Sequence, residues 1–265
     1  MMPRMASTEA IVGLALLGVC GLMVGSFLNV CIARLPRGES IVRPRSRCPR
    51  CQAPIRWFDN VPVLSYVVLG GRCRACRARI SRRYPIVELL TAVAFVVQGL
   101  AFADEPLLLG SRLVLTALLI VLFGTDIDTE RLPDTLTLPG IAVGLAWSMV
   151  GPPGLEDSLL GIAFGAGILL AIRWLWRWWR GVDGMGLGDV KMLAMIGAFL
   201  GWQQILVVLF FASVAGAVVG VSLTVLRGRS LQSRLPFGAF LAVAAFAASV
   251  WGEALRAWYA SLYSV

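Results

Sequence analysis

The 265-residue chain is 58% hydrophobic with a mean hydropathy of +0.80, which excludes an ordinary soluble domain and implies several membrane-spanning helices. It has 24 basic and 15 acidic residues and no histidine, which excludes Ser-His and Cys-His nucleophile pairs and a His-liganded catalytic zinc. The excess charge of +9 is assigned to membrane topology and not to nucleic-acid binding.

Eight apolar segments are expected in chain order, at 9–33, 85–103, 111–127, 134–151, 157–175, 189–202, 204–226 and 235–262. The sixth is short and follows a glycine-rich stretch, so the sixth and seventh also read as one broken helix. The first is not a cleaved signal peptide, because only Arg4 precedes it and no small-residue cleavage site follows. The dense basic stretch comes after this segment, which places the N-terminus outside. Alternation then puts 34–84, 128–134, 173–191 and 227–234 in the cytoplasm, and these hold 21 of the 24 basic residues. Arg4, Arg112 and Arg256 are left on the outer side, and the outer loops around Asp104-Glu105 and Glu156-Asp157 are acidic. The expected fold class is an all-α polytopic membrane protein with about eight transmembrane helices. No internal repeat and no low-complexity segment is evident.

The stretch between the first two segments is small for a self-sufficient core and calls for a staple. It holds Cys48-Pro49-Arg50-Cys51 and Cys73-Arg74-Ala75-Cys76. Two CxxC pairs at this interval suit four thiolate ligands of a structural zinc in a ribbon-like domain. Neighbouring arginines (Arg47, Arg50, Arg72, Arg74, Arg77) favour the thiolates. The competing reading is a pair of disulfides, which a cytoplasmic stretch disfavours. Cys20 and Cys31 lie in the first apolar run and read as small hydrophobes.

Asp126 ends the third apolar segment, and Asp189 closes Gly184-Met185-Gly186-Leu187-Gly188-Asp189 and opens the sixth. A carboxylate at a membrane boundary is costly, and by default it marks a functional site. The alternation places both at the same depth on the cytoplasmic side, as a catalytic dyad requires. Such a pair shares one proton and can hydrolyse a peptide bond. Gly186 and Gly188 permit a sharp bend and close substrate approach beside Asp189. The bland readings are that Asp189 caps the sixth helix and Asp134 the fourth. Asp128 reads as a supporting or solvent-facing residue, Asp183 as loop, and Glu88 as pairing with an arginine or lining a polar cavity.

These residues resemble a known family, the bifunctional bacterial prepilin peptidases or type IV leader peptidases. The likeness runs through Gly25-Ser26-Phe27-Leu28-Asn29-Val30 with Arg34-Leu35-Pro36, and through the cysteine stretch into Arg83-Tyr84-Pro85 and Val87-Glu88-Leu89-Leu90. It continues through Asp126 with Leu132-Pro133-Asp134, then Gly186-Leu187-Gly188-Asp189-Val190-Lys191, and Arg234-Leu235-Pro236-Phe237-Gly238.

The resemblance implies two reactions at the cytoplasmic face of the bacterial inner membrane. A basic leader is cut from type IV prepilins or type II secretion pseudopilins, with Asp126 and Asp189 as the peptidase pair. The new N-terminus is then N-methylated from S-adenosylmethionine. Gly186, Gly188, Asp134 and Lys191 are expected to support the dyad, and Cys48, Cys51, Cys73 and Cys76 to hold structural zinc. No motif marks the residues that bind the methyl donor. The implied organisation is a first transmembrane helix at 1–33, a methyltransferase-associated four-cysteine domain at 34–84 and a peptidase domain at 85–265. The implied partners are prepilins, pseudopilins and membrane lipid, with no nucleic acid. The rival readings are a peptidase without methyltransferase activity, and a transporter using its aspartates as proton or cation sites.

Overall fold

The computed structural model describes residues 8–227 and 236–262. Arg4, Arg234, Leu235 and most of the 227–234 loop lie outside them. Among the described residues nine α-helices run in order: α1 Thr8–Arg34, α2 Leu64–Val68, α3 Arg83–Phe102, α4 Pro106–Thr129, α5 Asp134–Ser148, α6 Leu155–Arg180, α7 Leu187–Leu200, α8 Trp202–Arg227 and α9 Phe237–Ser261. The only pairing between extended segments among the described residues is two isolated bridges. The chain is therefore a helical polytopic membrane protein, and all eight apolar segments are helices. Six of them, α1, α3, α4, α6, α8 and α9, are long and apolar enough to cross a membrane. The other two, α5 and α7, have 15 and 14 residues. The expected broken helix is two: Gly201, at φ +79°, separates α7 from α8.

The chain divides into two compact units, Met1–Leu109 and Gly110–Val265. In the first, α1 packs on α3 through a glycine face. A Cβ on Gly21 would stand 2.6 Å from the Cα of Ala92, and one on Gly25 would stand 2.8 Å from the Cα of Glu88. Small residues spaced by four let two helix backbones approach where lipid supplies no hydrophobic drive. Asn29 crosses the seam, donating from Nδ2 to the Tyr84 carbonyl at 3.0 Å.

In the second unit α7 is the central helix, in contact with α5, α6, α8 and α9. It is apolar all round, as a fully surrounded helix must be. From Val190 to Leu200 every residue except Lys191 is buried. The α6–α7 crossing rests on Gly161 and Gly197, where a Cβ on either would strike the backbone carbonyl of the other. The C-terminal carbonyls of α7 are met by side chains: Arg112 donates to Phe199 O at 3.0 Å and Ser158 to Ala198 O at 2.9 Å. Arg112, in the second turn of α4, is buried, and its positive charge suits the negative end of α7.

Gly161 and Gly167 lie on the same helix with opposite surroundings, since a Cβ on Gly167 would meet nothing within 4 Å. Gly161→Val is expected to destabilise the detergent-solubilised protein by about 1–3 kcal/mol. Gly167→Val is expected to stay within about 0.5 kcal/mol. Thermal unfolding of the two variants beside wild type checks this.

Candidate active site and metal site

The second unit brings four helix ends to one place. Asp126 is in the last turn of α4 and is 5% exposed. Its Oδ2 accepts the Ala239 amide, in the first turn of α9, at 2.8 Å. Asp189 is in the first turn of α7, and the Gly186 amide at the start of that helix faces its carboxylate. Asp126 is close enough for its charge to act on Asp189. Leu132 lies between their supports: a Cβ on Gly188 would stand 3.0 Å from Leu132 Cβ, and one on Gly238 would stand 2.9 Å from Leu132 Cδ1. Asp134 and Lys191 meet beside them, with Lys191 Nζ 2.7 Å from both carboxylate oxygens.

The two aspartates predicted from the sequence are thus brought together from helices 63 positions apart. Both bland capping readings change. The N-cap of α5 is Pro133, with no side-chain cap, and Asp134 in the first turn serves instead as the partner of Lys191. Asp189 does face an amide at the start of its own helix, yet it also faces Asp126, so capping does not exhaust its role. Asp128 is exposed, which fits the solvent-facing one of its two readings. Asp183 is not a plain loop residue. It pairs with Arg173 and Arg177, and Arg173 also donates to the Met185 carbonyl, which fixes the loop leading to Asp189. Sequence reasoning did not assign a role to Gly238 and Ala239. The signal was present in the Pro236-Phe237-Gly238 motif, but its contact with Asp126 bridges more than a hundred positions.

In the first unit the four cysteines converge. Their sulfurs all lie within 4.8 Å of one another, and Cys48 and Cys76 are 3.8 Å apart. Four sulfurs at 2.3 Å from a tetrahedral ion stand about 3.8 Å from each other, so the donor set fits such an ion. The separation is far too long for a disulfide, and all six cysteines are free.

The cluster is built from a local repeat that the sequence reading did not expect. Residues 47–55 and 72–80 fold alike. Cys48 N donates to Ala53 O at 2.9 Å and Cys73 N to Ala78 O at 2.8 Å. Gln52 N donates to Cys48 O at 2.9 Å and Arg77 N to Cys73 O at 3.0 Å. Gln52 and Arg77 both have φ +58°, and each turn is closed by a bridge, Arg47–Pro54 and Arg72–Arg79. Two similar turns therefore each present two sulfurs.

The amides of Cys51 and Arg50 hold the Cys48 thiol down to about 6, favouring the thiolate a metal needs. At Cys51 the Ala53 amide acts downward, but the Cys76 sulfur, burial and the other two sulfurs outweigh it and push that thiol up to about 11. One thiolate in the cluster thus raises the cost of the next, which a divalent cation would relieve. Close by, Arg74 grips Asp59 through three hydrogen bonds of 2.6–3.1 Å and holds its carboxyl below the usual range.

A cavity of about 1330 Å³ opens between the cysteine turns and the facing ends of α1 and α3, lined among others by Asn29, Asp59, Tyr66, Tyr84 and Glu88. Glu88 is buried and accepts the Val63 amide at 2.7 Å. Of its two expected roles, it takes the cavity-lining one.

Two family models match the chain, the bacterial peptidase A24 N-terminal domain over residues 19–102 and the type IV leader peptidase family over residues 113–221. Its relatives include proteins named prepilin leader peptidase/N-methyltransferase. That of Aeromonas salmonicida is 40% identical over 91% of both chains, and that of Pseudomonas aeruginosa 37% over 90% of both. That of Myxococcus xanthus is 44% identical over 80% of this chain and 63% of its own. No solved structure matches.

The Lys191–Asp134 pair ties α7 to α5 but is half-exposed. Lys191→Met is therefore expected to cost less than about 1 kcal/mol of stability, measured by thermal unfolding. A larger loss would mean that the pair is holding the helix ends together.

Proposed function

The chain belongs to the type IV leader peptidase family, and we propose that it cleaves the leader from type IV prepilins or type II secretion pseudopilins and then methylates the new N-terminus. It is a multi-pass inner-membrane enzyme with peptidase and methyltransferase activities. The observation that carries the peptidase reading is the meeting of Asp126 and Asp189 at the clustered ends of α4, α7 and α9.

The reaction follows from two carboxyl groups sharing one proton. The ionised member takes a proton from water as the water oxygen bonds to the scissile carbonyl carbon. The protonated member gives its proton to the carbonyl oxygen, forming a gem-diol. On collapse the C–N bond breaks, and the amine nitrogen leaves with the proton taken from water. The other carboxylate recovers its proton from a diol hydroxyl, so the pair is restored. Gly186 leaves the backbone beside Asp189 open to an extended substrate, and Gly188 lets Leu132 pack against the start of α7. Lys191 and Asp134 pair across the starts of α7 and α5 beside it.

The methyltransferase half is assigned to the first unit, with its four-cysteine segment stapled by zinc on Cys48, Cys51, Cys73 and Cys76. The spacing of the sulfurs supports this, and a site closed by four protein ligands is structural. S-Adenosylmethionine supplies an electrophilic methyl group for the free amine. It is a sulfonium and an ammonium cation with a carboxylate of its own, and the cavity offers Glu88 and Asn29 toward the cationic end and several arginines toward the carboxylate. Tyr66 and Tyr84 offer aromatic faces for its adenine. The distribution of basic residues supports an outward N-terminus and a dyad at the cytoplasmic face. That is the side on which a precursor still carrying a basic leader presents it.

Two reciprocal losses are expected. Asp126→Asn and Asp189→Asn abolish leader cleavage and leave methylation of a pre-cleaved substrate intact. Cys48→Ser or Cys73→Ser abolishes methylation and leaves cleavage. Product mass with and without the methyl donor reads both activities.

The metal is expected at one zinc per chain by elemental analysis of purified protein. Stripping it with a chelator is expected to lower thermal stability and methylation together, with cleavage retained. Full metal loading of the Cys48→Ser protein would contradict the four-thiolate assignment.

A further inference from the structure

We propose that the first turn of α9 is the positioning element for Asp126, and that it makes Asp126 the ionised member of the pair and leaves the proton on Asp189. The inference rests on the peptidase reading above and adds the roles of the two carboxylates.

Asp126 is 5% exposed. A carboxylate so enclosed needs donors to remain charged. It finds them at the start of α9, where Pro236 is the N-cap and Gly238 and Ala239 follow in the first turn. The amides of a first turn have no carbonyl four residues back to bind, and they carry the positive end of the helix dipole. The Ala239 amide donates to Asp126 Oδ2 at 2.8 Å, with the Gly238 amide beside it. An N–H can bind only a lone pair, so these donors favour the carboxylate over the acid.

The fit depends on Gly238. A Cβ there would stand 2.9 Å from Asp126 Oδ2 and 2.9 Å from Leu132 Cδ1. Any side chain would push the carboxylate off the amide. Among the described residues, the charges that act beside the pair are acidic or already paired. Glu130 lies just past the end of α4, Asp189 faces Asp126 from α7, and the first turn of α9 has no acidic residue. Lys191 is bound to Asp134. Asp189 faces one amide, that of Gly186, and stands beside the charge of Asp126. Two adjacent carboxyl groups do not both ionise cheaply, so the proton goes to the member with less support. Asp126 then takes the proton from water, and Asp189 donates to the scissile carbonyl.

The test is Ala239→Pro. Proline is tolerated in the first turn of a helix and removes the N–H while leaving the later helix bonds. Cleavage of a prepilin peptide is measured in detergent across pH, with methylation of the pre-cleaved peptide as the reading of an intact fold. The expected result is a 10- to 100-fold fall in kcat, about the worth of a hydrogen bond to a charged group, with KM within about threefold. Losing a donor to the charged form raises the proton affinity of Asp126, so the acid limb of kcat/KM moves to higher pH. Gly238→Ala is the second variant and is expected to show the same fall and the same shift. It decides the matter if Ala239→Pro loses methylation as well. Wild-type kcat and acid limb in a folded Ala239→Pro or Gly238→Ala, with Asp126→Asn inactive, would overturn this assignment and leave the peptidase reading standing. Wild-type cleavage by Asp126→Asn would overturn both.

Discussion

The second unit depends on a helix too short for the place it occupies. At 1.5 Å per residue the 14 residues of α7 reach about 21 Å, well under the roughly 30 Å of bilayer hydrocarbon. Its end amides and carbonyls cannot be left bare in lipid. They are therefore met by protein. Arg112 and Ser158 take the last carbonyls, and the contact of Gly161 with Gly197 seats the helix against α6. The other end is bounded by the glycine loop and Asp189. A carboxylate at the start of a buried short helix is the consequence, and the remaining helices are arranged around it.

The same demand for satisfied polar groups shapes the other half of the site. Asp126 is affordable in an apolar helix because α9 begins against it and supplies amides. One helix thus offers a carboxylate at its end and another offers the positive pole at its start. Leu132 fills the gap between the two glycines, so the loop before Asp189 and the start of α9 are referred to the same side chain. The chemistry of a shared proton needs little more than this: two carboxyl groups held together with unequal support. The first unit solves a different problem. Its extended segments have too little apolar core to fold alone, and two like turns bring four sulfurs within reach of one ion.

Much of this was legible in the chain. Each of the eight apolar segments became a helix, and the parity of the segments between Asp126 and Asp189 put both at one end. The cysteine spacing foretold a tetrahedral cluster. What could not be read was contact across long separations. Nothing local to Pro236-Phe237-Gly238 says that its amides meet a residue on α4. Nothing local to Arg112 says that it caps α7 and does not face water. The span count was legible only in part, because hydropathy identifies an apolar run and does not tell a half-length central helix from a full crossing. The repeat of 47–55 in 72–80 escaped notice because most of its matching residues are the arginines and cysteines already explained by charge and metal binding. Its sameness lies in backbone hydrogen bonds.

The central claim is that Asp126 and Asp189 act as one unit. Cleavage rates of Asp126→Asn, Asp189→Asn and the double variant, compared with wild type in one mutant cycle, test it most directly. Groups that share one proton are grossly non-additive, so the double variant should retain the same residual rate as either single. A double variant slower than each single by the product of their separate losses would show two independent carboxylates and contradict the account.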